Sequence, residues 1–557
     1  MPIRWAYLKR VVAGAIFGLY TAHLLYFLNP QIDVTPLRLL SVTLIYCAIC
    51  GLLVGTLLWL LRLLRVKVLG NPAPEGQYRA HGFGFVVLAA FIASAVYWTH
   101  LYAFRDYLPI GAVRLLGKAT NLITATAFAL LILWFFERNA DRRKSRLIFT
   151  YGVLLIAISS FFLYQRRDSY HTEKRTAVVA NVGTVAGERP VLVVAVRNLP
   201  YDWIVTIAGE GNLPFFEQAR EHAYFARMEP FATTSQESLW ASLATGKLPY
   251  RHGVTGHYAY RMLMNSSDPS DRFLLVPGGI GFRAWGLIPP VQRITTALPS
   301  GDALPLWTLV GRLSFRSAVV NWPSVTSGAT TVVTDNTVRS TSHPQRIPPP
   351  VVQKFNGAGI ARDRVVAGLA IDENAVAVVR NLAVLHANEL DVVDLDGFST
   401  AQRAMHIYRN ALPPRSSANG EVLRAYVQQL DAMLRGLARD FPDHLLVVVS
   451  PCGPQAPELP VAPYALVREV LASDEAGSND GFVLMTGAVA AHRENPSAAK
   501  VVDLVPTVLF AAGLPVGRDM DGRVLVDAFD DGFLRRNPLS LIPTYEAREI
   551  VLRRAGS

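Results

Sequence analysis

The chain has 557 residues, more than one ordinary domain contains, and 51% of them are hydrophobic, with a mean hydropathy of +0.26. This hydropathy is high for a soluble protein and low for one wholly inside a membrane, so the composition predicts a chain with both kinds of region. The net charge of +11 comes from the first 170 residues, which hold 18 lysines and arginines against 6 acidic residues. Because the rest of the chain is close to neutral, the basic character does not indicate a nucleic-acid-binding protein.

Five apolar segments near the N-terminus each approach the roughly 20 residues that a helix needs to cross a bilayer. The third segment contains Tyr97, Trp98 and His100, and the fourth is short. We predict an all-helical transmembrane domain of about five helices over residues 1–167. Its spans are expected at about residues 11–29, 39–61, 82–103, 120–136 and 147–164.

The basic residues between these segments predict the orientation in the membrane. Twelve lysines and arginines precede the first span or lie in the loops on that side, whereas the opposite loops hold four. The positive-inside rule therefore places the N-terminus in the cytoplasm and everything after about Arg167 in the periplasm or outside the cell. Since no span contains an acidic residue, an anchor that packs against partners is favoured over a transporter.

The rest of the chain is expected to be a polar linker (168–188), an α/β domain (189–535) and a C-terminal tail (536–557). Strand patterns alternate with helical ones, which predicts a mostly parallel sheet covered by helices on both faces. The helical patterns cover residues 213–223, 236–245, 399–411, 420–439 and 500–512. The strand candidates are Val191–Val196, Ala318–Asn321, Thr331–Val333, Val392–Leu395, Leu445–Val449 and Phe482–Met485.

Several segments occur in a distinctive order along this α/β region. They read VLVVAVRNLPYDWI, LPFFEQAREHAYFARMEP, SLWASLATGKLPYRHGV, PLWTLVGRLSFRSAVVNWPS, LDVVDLDGFSTAQR, LLVVVSPCGP and AKVVDLVPTVLFAAGLPVGRDMDGRVL. In this order they resemble the type I phosphodiesterase/nucleotide pyrophosphatase branch of the alkaline phosphatase superfamily, over about residues 190–530. The resemblance implies a fold whose members hydrolyse or transfer phosphate, phosphodiester or sulfate groups, usually with two divalent metal ions and a Thr or Ser nucleophile.

The positions at which the resemblance implies metal ligands carry other residue types in this chain. A final histidine is also expected before Gly481, and no histidine occurs between residues 451 and 490. An arginine at such a position is always charged and repels a divalent cation, so we predict that no metal cofactor is bound. The matching residues are Arg197 for the aspartate of an Asp-Gly pair, Ser399 and Arg403 for an Asp-x-x-x-His pair, and Pro451 and Cys452 for an Asp-His pair.

The position of the nucleophile is equally altered. The resemblance implies a Thr or Ser four residues before Trp240, and this residue is Gln236. Ser235 and Ser238 are near but require a shift of register. The sequence therefore predicts no catalytic residue.

Other polar residues nearby offer no obvious replacement set. Asp394, Asp396 and His406 lack the i, i+4 spacing that would place an Asp and a His together on a helix, and are interpreted as surface or strand-end residues. His252 in the RHG turn is interpreted as structural.

The two arginines suggest a different use of the old pocket. Arg197 and Arg403 would hold a phosphate or carboxylate group by bidentate hydrogen bonds without turning it over. The alternative is that both arginines pair with acids such as Asp396 or extend into solvent.

The sequence thus favours a membrane-anchored pseudoenzyme of this superfamily that serves as a scaffold, assembly or binding subunit on the extracytoplasmic side. The expected partners are membrane lipid, proteins of a membrane complex and a phosphate-containing ligand, with no nucleic acid. The alternative is an active phosphodiesterase or phospho-group transferase acting on lipid or glycan. Helices followed by such an outer domain also look like the layout of phosphoethanolamine transferases.

Overall fold

A computed structural model gives the conformation of most of the chain. The structure describes residues 3–29, 35–69, 77–103, 105, 108, 110–138, 142–167, 180–183, 190–231, 236–254, 258–262, 272–273, 291–295, 303–323, 327–408, 411–454, 479–487, 489–546 and 550–553. It divides into two compact units: residues 1–174 with 255–296 and 459–468, and residues 175–254 with 297–458 and 469–557.

The first unit begins with five long helices, the number that the sequence predicts. Small residues let the first two helices approach closely, since a Cβ atom on Gly18 would lie 2.2 Å from the backbone oxygen of Tyr46. The helices are α1 (Ile3–Leu28), α2 (Pro36–Leu69), α3 (Gln77–Ala103), α4 (Ile110–Arg138) and α5 (Arg142–Arg167).

Within the described residues, two segments are long and apolar enough to cross a membrane, Leu39–Leu57 in α2 and all of α4. The apolar parts of α3 and α5, Val86–Tyr102 and Arg146–Phe162, are shorter. Five helices are therefore present, whereas five membrane crossings stay a prediction.

The strands follow the predicted alternation with helices. Strands β4–β6 form a three-stranded antiparallel sheet that groups with the first unit. The strands are β1 (Ala180–Gly183), β2 (Val191–Val196), β3 (Tyr224–Glu229), β4 (Tyr258–Met262), β5 (Arg272–Phe273), β6 (Val291–Thr295), β7 (Ser317–Val320), β8 (Thr331–Val333), β9 (Leu390–Leu395), β10 (Leu445–Cys452), β11 (Asp480–Thr486), β12 (Ala499–Lys500), β13 (Val516–Gly517), β14 (Leu541–Ile542) and β15 (Ile550–Arg553).

The helices of the second unit lie between these strands in the chain. They are α6 (Tyr201–Gly209), α7 (Pro214–His222), α8 (Gln236–Thr245), α9 (Pro249–His252), α10 (Leu306–Arg312), α11 (Asp335–Thr341), α12 (Pro349–Gln353), α13 (Arg362–Leu385), α14 (Gly397–Ala404), α15 (Ala418–Asp440), α16 (Leu504–Ala511) and α17 (Asp531–Arg536).

An eight-stranded sheet organises the second unit, in the order β12–β3–β11–β10–β2–β9–β7–β8. All neighbouring pairs are parallel except those of β11, which is antiparallel to both β10 and β3. This confirms the predicted α/β domain with a mostly parallel sheet. The carboxyl ends of β2, β7, β9 and β10 lie at one edge of the sheet, where α/β domains bind their ligands.

Strand β2 explains why the sheet is buried on both faces. Its residues VLVVAV are all buried, as a continuous apolar run predicts. Because successive side chains alternate, Leu192, Val194 and Val196 join one hydrophobic cluster, while Val191, Val193 and Ala195 join another. Each face therefore packs its own layer of helices.

The segment predicted as a C-terminal tail packs as part of the second unit. Ile542 and Tyr545 are buried, and β14 pairs with β13. Glu546 accepts a hydrogen bond of 2.5 Å from the buried ammonium of Lys247. Strand β15 pairs with β1, which lies inside the predicted linker.

Candidate functional site

Asn198, which lies just after β2, contacts residues of α8, α14 and β10. Its φ of +62° is left-handed, a conformation that asparagine tolerates better than most residues. This tolerance explains how Asn198 can replace the glycine of the Asp-Gly pair that the resemblance implies. Its side-chain amide donates to Ser399 Oγ at 3.1 Å and accepts from Gln236 Nε2 at 2.8 Å. Gln402 Nε2 donates to its backbone oxygen at 3.1 Å, and Cys452 Sγ lies 4.0 Å from its Oδ1.

The residues that replace the implied nucleophile and ligands therefore meet in one place. Gln236 begins α8, Ser399 lies in the first turn of α14 and Cys452 ends β10. All three side chains contact that of Asn198, Gln236 and Ser399 by hydrogen bonds and Cys452 by the longer sulfur contact. The arrangement holds the loops together but contains no anionic ligand.

Arg197 occupies the position of the first implied metal ligand and pairs with Asp394 at the end of β9. Its Nε lies 2.8 Å from Asp394 Oδ2 and its Nη2 contacts the same oxygen, while the guanidinium lies 5.0 Å from the centre of the Trp240 ring. Burial raises the pKa of Asp394 to about 7, although Arg197 favours the ionised form. Burial lowers the pKa of Arg197, but the contact with Asp394 outweighs it and raises the pKa overall. Arg197 thus pairs with an acid in the structure, whereas anion binding by Arg197 and Arg403 stays a prediction.

A second arginine, Arg339 in α11, pairs with Asp396, the other carboxylate at this edge. The Asp396 side chain is buried, and Asn321 Nδ2 lies 3.4 Å from its Oδ1. The same Asn321 amide donates to the backbone oxygen of Asp394 at 2.7 Å, so it connects the two acidic positions. Both carboxylates that remain at the strand ends are thus engaged by guanidinium groups.

Arg403 is placed differently from Arg197. It lies one turn after Ser399 on α14 and is exposed, and its Nη2 donates to Thr400 Oγ1 on the same helix at 3.4 Å. No carboxylate lies within ion-pair distance of it among the described residues. Burial of its inner part, together with the positive charges of Arg197 and Arg339, lowers its pKa.

The remaining predicted positions do not offer a reactive group. Ser238 is fully buried in α8, so a substrate has no access to it, and Pro451 is buried within β10. Ser235 lies outside the described residues. His406, with a φ of +55°, is exposed beyond the end of α14, and its Nδ1 lies 3.5 Å from the hydroxyl of Tyr408 rather than beside the acids.

The residues present do not fit the two-metal site that the resemblance implies. Such a site needs several carboxylate and imidazole ligands around each ion. In the part of the chain that the structure describes, no group of three or more His, Cys, Asp and Glu side chains could hold a metal. Positive charge stands where the first ligand is expected, and Asp394 and Asp396 are already neutralised by arginines.

His252 in the RHG turn is buried and has a structural role, as the sequence suggests. Its Nδ1 accepts from the backbone N–H of Val254 at 3.1 Å, so the neutral ring carries its proton on Nε2, which lies 2.8 Å from Ser242 Oγ. Burial, aided by the charge of Lys247, lowers its pKa to about 3. The ring is therefore neutral at physiological pH.

Sequence reasoning missed Asn321, Arg339 and Gln402. Asn321 directly follows β7, and Arg339 lies on the helix that follows β8. Polar residues that directly follow a parallel strand lie at the edge of the sheet where ligands bind, a signal that Asn321 carries and Arg339 does not. Gln402 gives no comparable signal, because its role depends on the fold of the Asn198 turn.

The architecture is that of an α/β domain whose mostly parallel sheet carries polar residues at the carboxyl ends of its strands. Within it, residues 191–453 match the family model of type I phosphodiesterase / nucleotide pyrophosphatase. The resemblance carried by the order of the segments is thereby confirmed over these residues. No curated protein matches the sequence significantly.

Solved structures with a similar chain path have low sequence identity to this protein. A murine ectonucleotide pyrophosphatase / phosphodiesterase 5 is 12% identical, with 59% of this chain and 96% of that chain covered and a TM-score of 0.36. An alkaline phosphatase superfamily protein from Vibrio parahaemolyticus is 12% identical, covers 64% and 74%, and has a TM-score of 0.34. A lipoteichoic acid synthase from Listeria monocytogenes is 12% identical, covers 62% and 78%, and has a TM-score of 0.36.

Proposed function

We propose that this protein is a membrane-anchored pseudoenzyme of the type I phosphodiesterase family that serves as a scaffold, assembly or binding subunit. The N-terminal helices anchor it, with the N-terminus in the cytoplasm. The α/β domain then faces the periplasm or the cell exterior and presents a surface to proteins or lipids there.

The observation that supports this proposal most strongly is the neutral network around Asn198. Phosphoryl transfer in this superfamily requires an alkoxide-forming nucleophile and metal ions that stabilise charge in the transition state. Gln236 has no hydroxyl, and its amide is held by Asn198 Oδ1 at 2.8 Å. Because Ser399 and Cys452 belong to the same network, three altered positions hold the loops in place rather than bind ions.

The helices support the anchoring role through their exposed apolar surface. Leu37, Leu53, Ile110, Phe135 and Phe161 are each more than three-fifths exposed in the isolated chain. Apolar surface of this extent is unfavourable in water and is typical of helices that face lipid.

The proposal predicts that function does not depend on the nucleophile position. A strain that lacks the protein should be rescued equally by the wild-type chain and by Gln236→Ala, both expressed to the same level in membranes. Purified full-length protein should hydrolyse bis(p-nitrophenyl) phosphate at the background rate, with or without added Zn²⁺ or Mn²⁺. Rescue that fails with Gln236→Ala, together with metal-dependent hydrolysis that this variant lacks, would establish the enzyme alternative instead.

A further inference from the structure

The segment that leads into α13, residues 343–364, carries an unbalanced positive charge, and we call it the basic segment. It contains three arginines and one lysine against a single acidic residue, Asp363. All of these charged side chains are exposed, and Arg362 lies 3.3 Å from Asp363. The other basic side chains have no ion pair within the part of the chain that the structure describes: Arg346, Lys354 and Arg364.

Buried apolar residues hold the basic segment against the α/β domain. Ile347, Phe355 and Ala361 belong to the hydrophobic cluster that covers one face of the sheet. A Cβ atom on Gly357 would lie 3.2 Å from the backbone oxygen of Ala418 at the start of α15, so the backbone of the segment rests directly on this helix. The charged side chains therefore extend from a packed surface.

Ile360 is the apolar side chain that the basic segment exposes. It is fully exposed, whereas the next residue, Ala361, is buried. The preceding residue, Gly359, has a φ of +55°, in the left-handed region that favours glycine. A single exposed aliphatic side chain is common on protein surfaces. Here it lies between unpaired basic residues, and this combination of an apolar anchor with basic neighbours is typical of surfaces that bind anionic interfaces.

We propose that the basic segment docks onto an anionic lipid surface, with Ile360 inserted among the headgroups and the basic side chains beside them. The inference rests on the proposed function in one respect, because the membrane anchor keeps the α/β domain near a bilayer. It requires no headgroup pocket and no chemical step, since the attraction is between a basic face and a negatively charged surface.

The individual contributions are modest, and the anchor makes their sum sufficient. Each lysine or arginine near an anionic bilayer strengthens association by about fivefold. Burial of the isoleucine side chain adds roughly tenfold or more. A free domain with this surface would bind lipid weakly, but tethering raises the effective concentration to the order of millimolar. Docking should therefore depend on anionic lipid and weaken at high salt.

The test places an environment-sensitive NBD fluorophore on Asn356→Cys, an exposed position in the basic segment. The full-length protein, with Cys47 and Cys50 replaced by alanine and the buried Cys452 retained, is reconstituted into nanodiscs of phosphatidylcholine with or without phosphatidylglycerol. In the anionic nanodiscs we expect the emission to shift to the blue and to be quenched by spin-labelled lipid. Both effects should be much smaller in phosphatidylcholine alone.

Two substitutions separate the apolar contribution from the charged one. Ile360→Ser should weaken docking roughly tenfold, and Arg364→Gln should weaken it about fivefold. The matched controls are Val384→Ser, which removes an 88% exposed aliphatic side chain near the other end of α13, and Arg439→Gln, which removes an exposed arginine at the end of α15. Neither control should change the signal.

Equal quenching in the two kinds of nanodisc, or quenching that Ile360→Ser and Arg364→Gln leave unchanged, would overturn the inference. A blue shift without quenching by lipid would show that the segment contacts protein, either a partner or a second copy, and would overturn it as well. Failure of docking in a metal-free protein that stays in the membrane leaves the proposed function intact. A chain recovered in the soluble fraction would remove both.

Discussion

At the scale of single residues, the arginine that follows β2 changes the electrostatics at the carboxyl ends of the strands, because the resemblance implies an aspartate at that position. The guanidinium of Arg197 repels a cation at a position where the resemblance implies a metal ligand. Its positive charge is buried and needs Asp394 as a partner. The acid cannot be changed independently of the arginine, because a charge buried alone costs several kcal/mol.

Removing Arg197 should destabilise the domain in a pH-dependent way. Asp394 has a folded pKa raised above its ordinary value, so its contribution to stability is present at low pH and is lost as pH rises through about 7. Arg197→Ala raises this pKa further, and we expect a loss of about 3 kcal/mol at pH 8 and a smaller loss at pH 5. Urea unfolding followed by tryptophan fluorescence measures both values.

The double variant Arg197→Ala/Asp394→Asn is the control for this prediction. It removes the ionisable group as well as its partner, so most of the pH dependence should disappear. A loss of stability that is the same at pH 5 and pH 8 in the single variant would show that the pair does not act electrostatically.

His252 should affect stability with the opposite sign. Its folded pKa of about 3 is below the ordinary value near 6.5, so the folded state fails to take up a proton that the unfolded chain binds. The stabilisation that the neutral His252 ring contributes is therefore complete above about pH 6.5, and it is lost as the pH falls toward 3. His252→Gln should flatten the decrease in melting temperature between pH 7 and pH 5, whereas the variant of an exposed histidine, His222→Gln, should follow the wild type.

At the scale of elements, a close crossing of α13 and α14 positions the site. A Cβ atom on Gly397 would lie 2.0 Å from the backbone oxygen of Gly368 and 2.4 Å from the hydroxyl of Tyr426. Asp372 holds the crossing from within, since it accepts from the backbone N–H of Gly397 at 2.8 Å and from the Tyr426 hydroxyl at 2.9 Å. This contact fixes the start of the helix that carries Ser399 and Arg403.

Gly397→Ala should therefore separate the two helices and lower the free energy of unfolding by at least about 2 kcal/mol. Gly209→Ala is the matched control at the end of α6, where no atom lies within 4 Å of the added carbon. This variant should keep or slightly raise stability, by up to about 1 kcal/mol, and equal behaviour of the two would contradict the crossing.

The sequence predicts elements well where burial determines the pattern and less well where single contacts do. The apolar runs at Val191 and Leu445 identify β2 and β10, because a strand buried on both faces needs an unbroken apolar run. The helix predicted over 399–411 ends at Ala404, since His406 takes a left-handed conformation. Helix α16 is buried on all sides, and its polar side chain, Thr507, donates a hydrogen bond to the backbone oxygen of Asp503.

At the scale of the whole molecule, charge and hydropathy predict membrane anchoring and orientation, which the fold alone does not establish. The basic residues cluster around the N-terminal helices. By the positive-inside rule, this clustering favours a membrane-anchored protein whose α/β domain lies on the extracytoplasmic side. The site could be predicted only as a set of lost ligands, because the residues that replace them act through contacts between distant segments. Arg339 and Asp396, for example, are 57 positions apart in the chain.

The predicted topology can be tested by protease accessibility. Trypsin added to intact spheroplasts should cleave the α/β domain, followed through a C-terminal tag, while the basic loop between residues 62 and 79 stays protected until the membrane is opened. A tag that is lost only after lysis would place the domain in the cytoplasm and contradict the orientation.

The metal content of the purified full-length protein tests the central claim most directly. After incubation with Zn²⁺ and Mn²⁺ and removal of free ions, the account predicts far less than one ion per chain by elemental mass spectrometry, and no change in melting temperature with a chelator. Two tightly held ions per chain, released by the chelator together with a loss of stability, would contradict it.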